Sequence, residues 1–91
     1  MIKRVQIHIR GRVQGVCFRM YAQEKAECLG LTGWIRNCDD GSVETVAEGE
    51  EWLLKDFVEW HRLGPPHAQV DSVNVHYLNA TGEFRSFTVT G

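Results

Sequence analysis

Apolar and polar residues alternate at the start of the chain and then change to a helical spacing. In residues 4–10 every second residue is apolar, which is typical of a strand with one buried face. In residues 18–29 the apolar positions lie three or four apart, which predicts a helix, and Gly30 is a natural C-terminal stop. The chain is therefore predicted to begin with a strand followed by a helix.

The same reading predicts four further strands and a second helix. Residues 32–38 and 42–48 read as strands joined by a tight turn at Asp39-Asp40-Gly41. A helix opening at residues 49–51 carries its own apolar stripe and is broken at Gly64-Pro65-Pro66. Strands are then predicted at residues 70–77 and 84–89. This order predicts an α+β fold, a ferredoxin-like βαββαβ sandwich whose mostly antiparallel sheet carries both helices on one face.

Size and charge narrow the class of protein. The 91 residues suffice for one domain, residues 1–91, and leave no room for a second. A formal net charge of -2 argues against a nucleic-acid binder, which usually carries a basic excess. No long apolar run and no signal-peptide pattern is present, so we expect a cytoplasmic protein without a membrane partner.

Cysteine and histidine give no ligand signature in the sequence. The three cysteines are Cys17, Cys28 and Cys38, an odd number without the spacing of metal pairs, which fits a reducing compartment. The four histidines are scattered along the chain. We therefore predict no metal site and no cofactor.

The segment of residues 11–19, Gly-Arg-Val-Gln-Gly-Val-Cys-Phe-Arg, joins the first strand to the first helix. Two glycines relax the backbone, so that the amide N–H groups of the turn and of the helix start can converge on one anion of phosphate size. Arg19 adds a planar fork of donors that suits phosphate oxygens. The segment is neither a P-loop nor a dinucleotide fingerprint. From these residues alone, a plain strand-to-helix turn with a surface arginine is an equal alternative.

A second segment gives this pattern a family. Residues 33–37, Gly-Trp-Ile-Arg-Asn, precede residues 40–44, Asp-Gly-Ser-Val-Glu. Together with residues 11–19, they resemble the two signatures of the acylphosphatases, in the expected order and over nearly the whole chain. The resemblance implies hydrolysis of acyl phosphates, which are carboxylic-phosphoric anhydrides, to a carboxylate and inorganic phosphate.

The resemblance also implies roles for particular residues. Arg19 matches the phosphate-binding catalytic arginine of the family, and Asn37 matches the catalytic asparagine that positions the attacking water. The implied phosphate-binding loop donates through backbone amides and through the side chain of its arginine. Its residues are Gly15, Val16, Cys17, Phe18 and Arg19. The expected partners are a small acyl phosphate and inorganic phosphate, and the expected state is a monomer.

Other interpretations stay open on the sequence. Arg19 could be a solvated residue of the first helical turn, and Asn37 could serve only the nearby hairpin. The alternative function is a phosphate-binding or ligand-binding module of ferredoxin-like fold without catalysis. A third is a nucleic-acid binder, which the net charge disfavours.

Two features need comparison with the family pattern, namely the residue before Phe18 and the C-terminal sequence. Cys17 occupies the variable position before Phe18, so a thiol is expected beside the anion site, where it would react faster than Cys28 and could pair with Cys38. Many relatives end in basic and aromatic residues, whereas this sequence ends Thr-Val-Thr-Gly. That difference leaves the contribution of the C-terminal residues open.

Overall fold

The computed structural model describes residues 1–91 as five strands and two helices. In chain order the elements are β1 (Ile2–Arg12), α1 (Phe18–Leu29), β2 (Thr32–Asn37), β3 (Val43–Glu50), α2 (Glu51–Leu63), β4 (Gln69–Asn79) and β5 (Phe87–Thr90). Neither helix is long and apolar enough to cross a membrane.

All five strands form one sheet in the order β4-β1-β3-β2-β5. Every neighbouring pair is antiparallel except β2 and β5, which run parallel. Both helices pack on the same face of this sheet, α2 over β1, β3 and β4 and α1 over β2 and β5. The ferredoxin-like arrangement predicted from the sequence is confirmed.

The core lies between the sheet and the helices. Alternate residues of β1, namely Val5, Ile7 and Ile9, are fully buried, as the period of two requires. The predicted stripe of α1 is buried through Phe18, Ala22 and Ala26. The two helices meet where the Phe18 and Trp60 rings contact edge to face, with centroids 5.1 Å apart. This contact fixes the start of α1 against the rest of the molecule.

Most strand boundaries differ by a residue or two from the sequence-based prediction, and two of the differences have a clear structural cause. Gly49 and Glu50 belong to β3 rather than to the second helix, because they pair with Lys3 and Ile2 at the start of β1. The last strand begins at Phe87, three residues later than predicted. Long-range strand pairing sets both boundaries.

Phe84 lies outside the sheet because a polar anchor holds its loop elsewhere. The carboxylate of Glu48 accepts hydrogen bonds from the N–H groups of Thr81 and Gly82 and from Arg4. The Arg4 guanidinium also stacks over the Phe84 ring, with Cζ 4.9 Å from its centroid. These contacts hold residues 81–84 beside β1, and they lower the pKa of Glu48 despite its burial.

Gly11 terminates the regular part of β1 at a bulge opposite β4. Its φ of +128° lies in a region that side chains rarely adopt, and a Cβ there would lie 2.2 Å from the Gln69 carbonyl oxygen. The first glycine of the segment is therefore required by the close approach of β4. The bend directs the following residues towards the start of α1.

Candidate active site

The loop between β1 and α1 contains two closely spaced residues with positive φ. Gly15 has φ of +73°, and Cys17, the residue that precedes α1, has φ 62° and ψ 23°. Cys17 is the only non-glycine residue of the chain with positive φ. The backbone N–H groups of residues 14–17 donate no hydrogen bond within the protein. The loop is thus a set of free donors.

The start of α1 extends this set. No side chain caps the helix, and its first turn holds no acidic residue. The free N–H groups and the positive end of the helix dipole therefore face outward beside the loop. Such a surface suits an anion of phosphate size, so the anion site expected from the glycine pattern stays a prediction for this loop.

Arg19 lies in the first turn of α1 and is held by the other end of the chain. Its Nη1 donates a 2.7 Å hydrogen bond to the backbone oxygen of Gly91, and a longer contact of 3.4 Å joins it to that of Thr90. The residue is half-buried. The guanidinium is therefore positioned by the end of β5 rather than extended freely into solvent.

Asn37 ends β2, paired with Val43 of the neighbouring strand. Its side-chain oxygen Oδ1 is buried and has no hydrogen-bond partner in the protein. A buried amide oxygen without a partner costs free energy, on the order of 1–3 kcal/mol. This side chain is consequently not explained by a role in the hairpin turn, where it would be hydrogen-bonded.

Gln14 joins the loop of residues 13–17, the candidate phosphate loop, to the β2–β3 turn. Its Nε2 donates to the carbonyl oxygens of Cys38 and Ser42, both at 2.8 Å. Those two residues also bond to each other across the turn, N–H of Cys38 to the carbonyl of Ser42. The loop that carries Gly15 is thus tied to the turn that follows Asn37. Sequence analysis missed this role, although Gln14 lies inside the quoted motif.

One open cleft of about 400 Å³ brings these residues together. Its lining comprises Val13, Gly15, Cys17, Phe18, Arg19, Met20, Gln23, Asn37 and Val89. Arg19 and Asn37, remote in sequence, therefore share one site. Among the predicted loop residues only Val16 is absent from the lining, since its side chain packs partly against the core.

The three thiols are free and lie in different places. Cys17 lines the cleft just described, whereas Cys38 lines a second cleft together with His8 and Asp40. The structure does not bring Cys17 and Cys38 into one site. Scattered sequence positions gave no hint of the His8, Cys38 and Asp40 grouping, because the sheet assembles it from distant segments.

Comparison with known proteins agrees with this fold. The acylphosphatase family profile matches residues 5–89. The chain is 49% identical over 88 residues to an acylphosphatase of Methylococcus capsulatus, covering 97% of this chain and 96% of that one. It is also 49% identical over 87 residues to an acylphosphatase of Rubrobacter xylanophilus, covering 96% of this chain and 79% of the relative. The crystal structure of acylphosphatase from Bacillus subtilis superposes with a TM-score of 0.94 at 37% identity, covering all of both chains.

The ferredoxin-like sheet, with free backbone donors in the loop before α1, defines a small α+β domain with a candidate anion-binding loop. The family follows from two findings. The profile matches almost the whole chain, and full-length relatives are highly identical to it. The chain belongs to the acylphosphatase family.

Proposed function

We propose that the cleft between the phosphate loop, α1 and the end of β2 is where this enzyme hydrolyses acyl phosphates. Family membership makes the chain an acylphosphatase, which cleaves a carboxylic-phosphoric anhydride to a carboxylate and inorganic phosphate. In the proposed assignment the phosphoryl group binds to residues 15–19, and the acyl group extends towards the open side of the cleft.

Arg19 and the loop amides would stabilise charge on the phosphoryl oxygens. Phosphoryl transfer depends mainly on positioning and electrostatic stabilisation, and preorganised donors in fixed places supply both. The free N–H groups of residues 14–17 and the guanidinium held by Gly91 are such donors. Because its hydrogen bonds to the C-terminal residues use Nη1, the remaining N–H groups of Arg19 can bind phosphate oxygens.

Asn37 would orient the attacking water, and its unpartnered Oδ1 is the observation that carries the proposal. A carboxamide oxygen accepts a hydrogen bond from water without removing its proton, so Asn37 would act by positioning the nucleophile. Its place in the same cleft as Arg19 supports attack on a phosphorus held by the loop. The polar atom that the protein leaves unpaired is thereby given a function.

The lining of the cleft fits an activated substrate. It contains no Asp, Glu or His that could serve as a strong general acid or base. The carboxylate released from an acyl phosphate is a weak base and leaves without protonation, and water supplies the proton that balances the products. An unactivated phosphate monoester, whose alkoxide leaving group needs a proton donor, fits this cleft poorly.

Two finer assignments complete the proposal. The chain would act as a monomer, because Arg19, Asn37 and the loop residues meet in one cleft without a residue from a second copy being needed to complete the proposed site. Catalysis would need no metal ion, because the lining offers arginine and amides for the phosphate rather than carboxylates for a cation.

The test is a substrate panel measured with EDTA present throughout. Several acyl phosphates, acetyl phosphate and benzoyl phosphate among them, are compared with unactivated alkyl phosphate monoesters such as glycerol 3-phosphate. We expect rapid turnover of the acyl phosphates and little of the monoesters. Phosphate binding without hydrolysis would instead support the non-catalytic module, and activity lost with EDTA and restored by a divalent ion would refute the metal-free mechanism.

A further inference from the structure

A second cleft lies on the opposite face of the sheet from the helices. Its volume is about 400 Å³, and it is bounded by the outward side chains of β1, β3 and β4 and by the β2–β3 turn. Its lining is almost wholly polar and shares no residue with the cleft of Arg19. The proposed hydrolytic site leaves this surface without a role.

Three different kinds of metal ligand meet at one end of this second cleft. They are an imidazole from His8, a thiol from Cys38 and a carboxylate from Asp40, with ligand atoms all within 4.8 Å of one another. His8 comes from the middle of β1, and the other two flank the β2–β3 turn. His8 and Cys38 are half-buried, and Asp40 is exposed.

Zn²⁺ is the cation that this mixture of nitrogen, sulfur and oxygen suits. It binds all three ligand types at about 2.0–2.3 Å, which places tetrahedral ligand atoms about 3.5 Å apart. The observed separations reach up to 4.8 Å, so the ligand atoms would move closer by roughly 1 Å on binding. We propose that His8, Cys38 and Asp40 form a Zn²⁺ site on the outer face of the sheet, with water as the fourth ligand.

Ser42 already orients two of the three ligands. Its Oγ lies 2.6 Å from His8 Nε2 and 2.5 Å from Asp40 Oδ1, and the residue is only 1% exposed. An ionised carboxylate can only accept, so the Ser42 hydroxyl donates to Asp40 and the His8 Nε2–H donates to Ser42. This series of hydrogen bonds leaves the lone pair of His8 at Nδ1. Hydrogen bonds of this kind fix the ring and tautomer of a metal-binding histidine.

Neighbouring cations set the limit on affinity. Arg10 Nη1 lies 2.9 Å from Asp40 Oδ2 and competes directly with a metal for that carboxylate. Arg36, which lines the same cleft, is neutralised by its ion pair with Glu44. Arg10 is therefore the one adjacent charge whose removal should strengthen metal binding.

The first experiment titrates Zn²⁺ into the full chain by calorimetry in a phosphate-free buffer. We expect one ion per chain, and a loss of affinity of more than about 100-fold in His8→Ala, Cys38→Ser and Asp40→Asn, because even outer-shell changes cost 10–100-fold. Cys28→Ser and His67→Ala are matched controls and should bind as the parent does. Arg10→Gln should bind more tightly.

The second experiment identifies the sulfur ligand directly. Co²⁺ replaces Zn²⁺ in such sites, and we expect a thiolate-to-cobalt charge-transfer band that Cys38→Ser abolishes and Cys28→Ser retains. Bound Zn²⁺ should also raise the melting temperature of the parent but not of Asp40→Asn. Circular dichroism and acyl phosphate turnover of each variant report whether it has folded.

Three results would overturn the site. They are no saturable binding by the folded parent, affinity unchanged in all three ligand variants, and one ion per two chains, which would mean a shared ion. None of them would bear on hydrolysis, because the Arg19 cleft is separate and its turnover is measured with chelator.

Discussion

Arg19, in the first turn of α1, and Gly91, just after β5, are joined by a 2.7 Å hydrogen bond from the guanidinium to the backbone oxygen. The bond spans 72 positions and places the last residues after β5 against the first turn of α1. Although the C-terminal residues here are neither basic nor aromatic, their carbonyl oxygens hold the arginine. The C-terminal segment is therefore part of the architecture that supports the candidate site.

Replacing Arg19 with Ala should abolish most activity. The change removes the only cationic side chain of the cleft, and loss of one such donor typically lowers turnover on the order of 10²–10³-fold. Lys should rescue poorly because a point charge cannot replace the planar fork. Steady-state kinetics on acetyl phosphate measures both, with Arg62→Ala in α2 as the control. Near-normal turnover in Arg19→Ala would exclude the assignment.

Replacing Asn37 with Ala should separate turnover from phosphate binding. Because the side chain is proposed to hold water rather than the anion, we expect a large fall in kcat and little change in the Kd for inorganic phosphate. Calorimetric phosphate titration and kinetics on the same variant give the two values. Equal losses in both would assign Asn37 to anion binding or to the turn.

Gln14→Ala should loosen the phosphate loop. Its two hydrogen bonds to Cys38 and Ser42 would be lost, at about 1 kcal/mol each, and the loop amides would become less ordered. We expect a free energy of unfolding lower by about 2 kcal/mol together with weaker phosphate binding. Gln6→Ala, which removes a bond to Glu44 in the second cleft, should lose stability without affecting the phosphate Kd. If both variants bind phosphate alike, the Gln14 clamp has no functional role.

Cys17 should be modified by alkylating reagents in a phosphate-sensitive manner. Cys17 and Cys28 are both exposed, so exposure alone predicts similar labelling. Only Cys17 lies in the cleft, beside free amide donors and Arg19, whose positive potential attracts a negatively charged reagent such as iodoacetate. We expect faster labelling of Cys17, protection by inorganic phosphate and loss of activity on modification, all read by mass spectrometry and assay. Unprotected Cys17 would place the phosphate elsewhere.

His61 should make stability depend on pH in mildly acidic solution. The side chain is fully buried between Thr45 and Phe57, and burial lowers its pKa from 6.5 to about 4. Between these values the unfolded chain binds a proton that folded His61 does not. The free energy of unfolding should therefore fall as pH drops from 6.5 towards 4, by up to about 3 kcal/mol.

Urea denaturation of the parent and of His61→Gln across this pH range tests the effect. Glutamine keeps a donor and an acceptor but does not titrate, so the difference between the two curves isolates His61 from the carboxylates. A difference that stays constant with pH would show that the buried imidazole does not contribute to the acid sensitivity.

The sequence by itself determined the elements of this fold. Alternation in residues 4–10 and the apolar stripe of residues 18–29 depend only on neighbours along the chain, and both elements form where they were predicted. The sequence also predicted local backbone conformation, since Gly30 and Gly41 adopt the positive φ that a helix end and a tight turn require. The motif residues likewise located the loop and the two residues proposed for catalysis.

Only the tertiary structure decided which distant residues contact each other and where two of the strands begin or end. The register of β1 with β3 assigned Gly49 and Glu50 to a strand, and the Glu48 anchor kept Phe84 out of the last one. The acceptors of Arg19, the partners of Gln14 and the grouping of His8 with Cys38 and Asp40 all join residues at least 24 positions apart. Periodicity indicates which face of an element is buried, whereas such contacts depend on how the strands and helices assemble. That assembly follows from the packing of the whole core, which no local segment encodes.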